Sequence, residues 1–316
     1  MILALRAEMH ADAVTVPAAD FAKPMLCKGQ GMKVGFASMN TPEELRPDEL
    51  ARALEERGFD SLWVGEHTHI PVSRETPYPA GGEMPAQYRR MMDPYVSLTL
   101  AASATSRLLL GTGVALPLER DVFALAKTVA TLDRVSGGRL QFGVGTGWNK
   151  EELADHRRIA WAERYAALAE CVAALTALWT QEVAAYQGRY FAFGPVWSEP
   201  KPIQLPRPPV LAGMAGKLGT RQAASWADAW MPIDIGLGDV PKKIELFRRA
   251  VLAADRPHIP ITLVVWGDPP MSKLAGYRDL GVERVVLGTS REGWDDPSRT
   301  IPFLDKYAEM ISRLRE

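Results

Sequence analysis

His67 is the clearest candidate for moving a proton. It follows the apolar run Ser61–Val64 in the stretch Gly65-Glu66-His67-Thr68-His69. Histidine is the side chain whose unperturbed charge change falls near neutral pH, so it can take or give a proton beside a reacting atom. Glu66 stands next to it and could tune or orient it. His67 and His69 form an H-x-H pair, and in an extended segment both face one side. Glycine-rich turns offer a second kind of chemistry. Gly111-Thr112-Gly113-Val114 and Gly145-Thr146-Gly147-Trp148 each end an apolar run, and Ala212-Gly213-Met214-Ala215-Gly216-Lys217 ends another. Glycine lets a ligand approach the backbone closely, and free amides at a helix start can cradle a phosphate. Glycines at one such turn are ordinary turn chemistry. On neighbouring strands, with Lys217 close by, a ligand cradle becomes an equally good reading.

Eight strand–helix units must position these groups. Apolar runs at 33–36, 61–64, 108–114, 140–144, 210–212, 229–232, 261–265 and 284–287 predict strands. Helical patterns follow each in turn, at 47–57, 94–104, 121–135, 162–180, 219–226, 240–254, 272–280 and 301–314. In the third, Val122, Leu125, Ala126, Val129, Leu132 and Val135 fall on adjacent rows of a 3.6-residue period. The strands are almost continuously apolar, as expected when both faces are covered. Eight units favour a single-domain α/β (β/α)8 TIM barrel over an open doubly wound sheet, with the active site at the C-terminal strand ends. Long connections at 66–93 and 181–209 predict functional rims, the second with a hairpin pairing 183–186 and 190–193. Residues 1–31 lack periodicity and are expected to be a poorly ordered extension preceding a barrel over 32–316.

Composition narrows the function. The chain has 316 residues and a net charge of −1 with both signs interspersed, which argues against nucleic-acid and polybasic membrane surfaces. No apolar run approaches membrane-spanning length and no signal-peptide core opens the chain, so a cytoplasmic protein is expected. Cys27 and Cys171 are too few and too far apart for a disulfide framework. The H-x-H pair also suggests the metal site of barrel hydrolases. The remaining strand ends, however, offer Trp148, Met214, Ile233 and Ser290 where that site needs ligands, so no metal is expected.

The ordered set Gly58-Phe59-Asp60-Ser61-Leu62-Trp63-Val64-Gly65-Glu66-His67, Asp93-Pro94, Leu110-Gly111-Thr112-Gly113-Val114 with Pro117, Ala130-Thr131-Leu132-Asp133 with Ser136-Gly137-Gly138-Arg139, Gly143-Val144-Gly145-Thr146-Gly147-Trp148 with Glu151-Glu152, and Pro208-Pro209-Val210 with Ala212-Gly213 resembles the luciferase-like superfamily of flavin and deazaflavin oxidoreductases. It is most similar to its probable coenzyme F420-dependent subgroup. The resemblance implies a redox ring across the barrel mouth, backed by a bulge at Thr112, Gly113 and Val114 with a non-proline cis peptide at Gly113–Val114. It implies Thr146 and Gly147 at the ring, and Ala212, Gly213, Met214 and Gly216 along the phosphate-bearing tail. His67, with Glu66 as acidic neighbour, would manage the proton while His69 and Trp148 shape the substrate pocket. The implied activity is hydride exchange between coenzyme F420 and a small organic substrate. An FMN-dependent monooxygenase and a non-catalytic flavin-binding protein are the alternatives. Sugar-phosphate dehydrogenases of this superfamily carry an acid where this chain has Trp148, so a sugar-phosphate substrate is not implied. Relatives are commonly dimers, which makes a homodimer the expected assembly.

Overall fold

The computed structural model describes residues 31–156 and 159–315. Its strands are β1 (Lys33–Ser38), β2 (Ser61–Val64), β3 (Leu109–Thr112), β4 (Leu140–Val144), β5 (Ala184–Gln187), β6 (Ala192–Val196), β7 (Val210–Ala212), β8 (Ala229–Trp230), β9 (Thr262–Trp266) and β10 (Arg284–Gly288). All but β5 and β6 form one parallel sheet in the order β8-β7-β4-β3-β2-β1-β10-β9. Bridges between Trp230 and Ile261 and between Ile233 and Val264 join its two ends. The result is the expected (β/α)8 barrel. Around it lie α1 (Pro47–Glu56), α2 (Pro94–Ala104), α3 (Val122–Val135), α4 (Lys150–His156), α5 (Arg164–Thr180), α6 (Gly216–Trp226), α7 (Asp234–Leu237), α8 (Val240–Ala253), α9 (Met271–Asp279) and α10 (Pro297–Arg315).

Local sequence explains where the helices begin. Asp93 caps α2 by accepting from the Tyr95 and Val96 amides, with Pro94 in the first turn. Asp121 caps α3 in the same way through Phe123 and Ala124, satisfying amides that a helix start otherwise leaves free. α10 begins four residues earlier than its apolar pattern suggested, because Asp296 accepts from the Ser298 amide and Pro297 suits a first turn. The sixth barrel strand shrinks to Ala229–Trp230. The third ends at Thr112 rather than Val114, since the chain bulges there. The expected hairpin is present but shifted along the chain, to Ala184–Gln187 and Ala192–Val196, with Tyr186 opposite Phe193. The short helices α4 and α7 were not anticipated. Of the proposed N-terminal extension, only Gly31 lies within the described residues. No helix among them is long and apolar enough to cross a membrane.

The barrel interior is closed beneath its mouth. Trp63, Leu211, Met231, Val264 and Val286 pack there, with Ala37 and Ala229. Gly111 and Gly288 make room for flat indoles: a Cβ on Gly111 would stand 2.1 Å from Trp63, and one on Gly288 2.3 Å from Trp266. Fully burying a large apolar side chain contributes roughly 1.5–3 kcal/mol. This plug therefore stabilises the barrel and sets a floor under the site.

Candidate active site

The bulge after β3 is built by a change of hydrogen-bonding partner. The Gly113 amide donates to Val64 O of β2 at 2.7 Å, whereas the Ala115 amide donates to Gly143 O of β4 at 2.8 Å. Val114 is displaced between them, and the Gly113–Val114 peptide is cis, as the resemblance implies. Gly113 is exposed and Val114 half-buried, although Thr112 and Ala115 on either side are buried. The bulge thus reaches the surface at the C-terminal end of the strands. Its side chain sits between two glycines: a Cβ on Gly213 would lie 2.3 Å from Val114 Cγ1, and one on Gly145 2.6 Å from Val114 Cγ2. Packed carbon atoms normally approach to about 3.5–4.0 Å, so neither position tolerates a side chain while Val114 stays in place.

This gives Gly145 and Gly213 a role other than freeing amides for a phosphate. The Gly145 amide donates to Ala115 O, and that of Gly213 to Val144 O. Thr112 supports the bulge from below, its Oγ1 donating to Gly143 O at 2.7 Å in full burial. Ala212 and Met214 are also buried, and Met214 O accepts from Trp230 Nε1. The exposed part of this turn is Gly216 and Lys217. They open α6, which has no side-chain cap. Thr146 is buried beside Gly147, whose φ of +70° suits glycine.

His67 is seated in a defined orientation. Its Nδ1 lies 2.7 Å from Glu152 Oε2, and its Nε2 accepts a hydrogen bond from Trp148 Nε1 at 3.1 Å. An indole N–H only donates, so Nδ1 carries the imidazole proton and gives it to Glu152. The His67 and Glu152 side chains are 7% and 1% exposed. The acidic partner of His67 is therefore Glu152 of α4, not its neighbour Glu66.

Glu66 is a buried anchor for the bulge segment. Its Oε2 accepts from the Leu116 amide at 2.7 Å and its Oε1 pairs with Arg120. Arg120 also reaches Asp93 at 2.6 Å and lies over the Tyr95 ring. Burial raises the Glu66 carboxyl above its usual range, opposed by Arg120 and the Leu116 amide. His69 does not join His67. The chain bends at Thr68, so His69 turns outward to Asp155 at 3.1 Å and against the His156 ring. Among the described residues no group of three His, Cys, Asp or Glu side chains has metal-binding geometry.

Aromatic rings wall the mouth beside His67. Tyr88 and Trp148 lie edge-on to it, with centroids 5.4 and 5.7 Å away. Tyr78 contacts both Tyr88 and Trp148, and Trp294 continues the wall from Tyr88. Burial, then the Tyr78 hydroxyl, pushes the Tyr88 phenol well above its ordinary range. The long connection after β2 supplies Tyr78 and Tyr88. Glu151 Oε1 pins it to α4 by accepting from the Glu75 and Thr76 amides. Sequence reasoning gave no role to Glu152, Tyr78, Tyr88 or Trp294. Only Glu152 had carried any signal, through its place after Trp148.

The model of the luciferase-like monooxygenase family matches residues 34–269. The chain belongs to this family. A protein of Mycobacterium tuberculosis described as uncharacterised is 40% identical over 282 residues, covering 86% of this chain and 97% of that one. The F420-dependent glucose-6-phosphate dehydrogenase of Nakamurella multipartita is 31% identical over 205 residues, 63% of this chain and 56% of its own. Among solved structures, the oxygenating constituent of 3,6-diketocamphane monooxygenase from Pseudomonas putida, in complex with FMN, has a TM-score of 0.70 at 12% identity. That match covers 90% of this chain and 98% of the other, and at this identity the likeness is one of fold.

Proposed function

We propose that this luciferase-like chain is a two-electron oxidoreductase that exchanges a hydride between coenzyme F420 and a small organic alcohol or carbonyl compound. One observation carries the reading: an imidazole at a strand end with Nδ1 fixed on a buried carboxylate and Nε2 left as an acceptor, held by Trp148 Nε1. That is the arrangement of a general acid–base poised over a reacting oxygen.

The residues present fit a redox ring. Val114 is half-buried on the barrel-interior cluster and held between two positions that admit no Cβ, which would give a planar ligand a fixed apolar backing. The uncapped start of α6, with Lys217 exposed beside it, suits a phosphate. Gly113 and Val114 would lie behind the ring, Thr146 and Gly147 at its edge, and Gly216 and Lys217 at the tail. A deazaflavin bound there would supply a centre that accepts or donates hydride.

The side chains do the rest. As an alcohol is oxidised, His67 Nε2 takes the hydroxyl proton, and Glu152 stabilises the imidazolium through Nδ1–H. In the reverse direction His67 returns that proton to the carbonyl oxygen. Trp148 Nε1–H bonds to Nε2, and a substrate oxygen would take its place there. Tyr78, Tyr88, Trp148 and Trp294 exclude water and favour an apolar or aromatic substrate body.

Spectral titration of the purified protein with each cofactor tests the reading. Saturable F420 binding, followed by its reduction with a panel of alcohols, is expected. Tight FMN binding with none for F420 would instead support the monooxygenase alternative. Binding of either without turnover would leave a carrier.

A further inference from the structure

Glu119, in the turn Pro117–Glu119, has no part in the scheme above. It is 4% exposed, and neither carboxyl oxygen has a hydrogen-bond partner among the described residues. Glu152, which holds His67 through Oε2, is wholly buried, and its Oε1 likewise lacks a partner. The Pro117–Glu119 turn packs against α4, which carries Glu152, and the two carboxyls interact. Glu119 also borders the Gly147 turn, where a Cβ would stand 3.3 Å from its Oε1.

Among the described residues, the other ionisable groups that act on it offer no positive charge. Glu66 faces it from the end of β2. The Arg120 guanidinium, next in sequence, is directed to Glu66 and Asp93. From α5, Cys171 approaches Pro117 O. An ionised Glu119 would be a buried charge without a counter-charge beside a second carboxylate, which costs several kcal/mol. A protonated Glu119 has one O–H to give, and Glu152 Oε1 is the open acceptor facing it.

We propose that Glu119 is a positioning residue that holds a proton and donates it to Glu152, completing a buried chain Glu119–Glu152–His67. That one bond gives a partner to Glu152 Oε1 and to one of the two Glu119 oxygens. It fixes the Glu152 carboxylate from its far side and leaves the pair with a single negative charge to face the imidazolium. Burial, with Glu152 and Glu66 adding to it, pushes the Glu119 carboxyl up to about 9, consistent with a proton retained at neutral pH. The effect on turnover rests on the hydride-transfer reading above; the shared proton does not.

The proton has a stability signature. The unfolded chain releases it near the usual 4.5, while the native chain keeps it to about 9. Native protein therefore binds the extra proton between these values, and stability falls as pH rises through that window. In Glu119→Gln, which keeps an N–H for Glu152, that fall should flatten. An infrared band of a protonated carboxyl should be present in the native protein at pH 7.5 and absent from the variant. For turnover, Glu119→Leu should lose roughly tenfold or more, the scale of a hydrogen bond to a charged group. Glu119→Gln should recover most of that loss and lack the alkaline limb near pH 9. An unchanged carboxyl band and an unchanged pH–stability curve in Glu119→Gln would overturn the proposal. If wild-type protein turns over no alcohol or carbonyl, the hydride reading fails while these two measurements still decide the shared proton.

Discussion

Replacing Gly213 with Ala puts a single methyl group against the feature on which the site is built. The new Cβ would stand 2.3 Å from Val114 Cγ1, more than about 1 Å inside a normal carbon contact. Val114 cannot swing the other way, because Gly145 already lies close to its Cγ2. β7 cannot readily retreat, since the Gly213 amide is bonded to Val144 O at 2.8 Å. Gly213 has no positive φ, so the cost is steric and not conformational. Overpacking of this kind costs about 1–3 kcal/mol, which lowers Tm by several degrees in a chain of this size. The displaced bulge should also weaken cofactor binding by tenfold or more. Val114→Ala removes both Cγ atoms, so adding it to Gly213→Ala should restore most of the lost stability. The double-mutant cycle should then show a coupling of about 1 kcal/mol or more. Chemical denaturation of the four proteins together with cofactor titration reads both effects. Additive single effects with unchanged cofactor affinity would refute the claim that Val114, seated between two glycines, forms the backing of the site.

Three further outcomes follow from the same geometry. His67→Ala should lower turnover by about two orders of magnitude or more while leaving the cofactor Kd within about threefold, as measured by steady-state kinetics beside titration. Trp148→Phe keeps an aromatic wall but removes the N–H that occupies His67 Nε2. Losing a competing hydrogen bond of about 1 kcal/mol should lower KM by up to about fivefold, whereas Trp148→Ala should raise it. Arg120→Leu strips the counter-charge from buried Glu66 and should destabilise the protein by about 3–5 kcal/mol, with Glu66→Gln in the same chain recovering part of the loss.

Much of the barrel was legible because its signals are local. Apolar runs such as Val285-Val286-Leu287 admit little besides a buried strand, and Asp93-Pro94 and Asp121 announce helix starts by their capping chemistry. The sixth barrel strand was read at 229–232 and only Ala229–Trp230 form it, whereas the seven-residue α4 carries too little pattern to be read. At the site, His67 and the bulge at Gly113–Val114 were visible from strand-end position and resemblance. The partner of His67 was not. Glu152 lies 85 residues away, and an acid within Asn149-Lys150-Glu151-Glu152 looks like part of a solvated helix face. Glu119 between Leu118 and Arg120 is equally ordinary in sequence. Only the fold buries both acids together. His69 misled for the opposite reason: alternation holds in an extended chain, and the bend at Thr68 breaks it.

The central claim is that a planar redox ring lies across the barrel mouth against Val114. A crystal structure of the protein grown with F420 tests it most directly. The account predicts the ring in van der Waals contact with Gly113 and Val114, its reactive carbon on the side of His67 Nε2, and its phosphate near the amides of Gly216 and Lys217. A ring bound elsewhere on the molecule, or a mouth filled by Tyr78, Tyr88 and Trp148 at saturating cofactor, would contradict it.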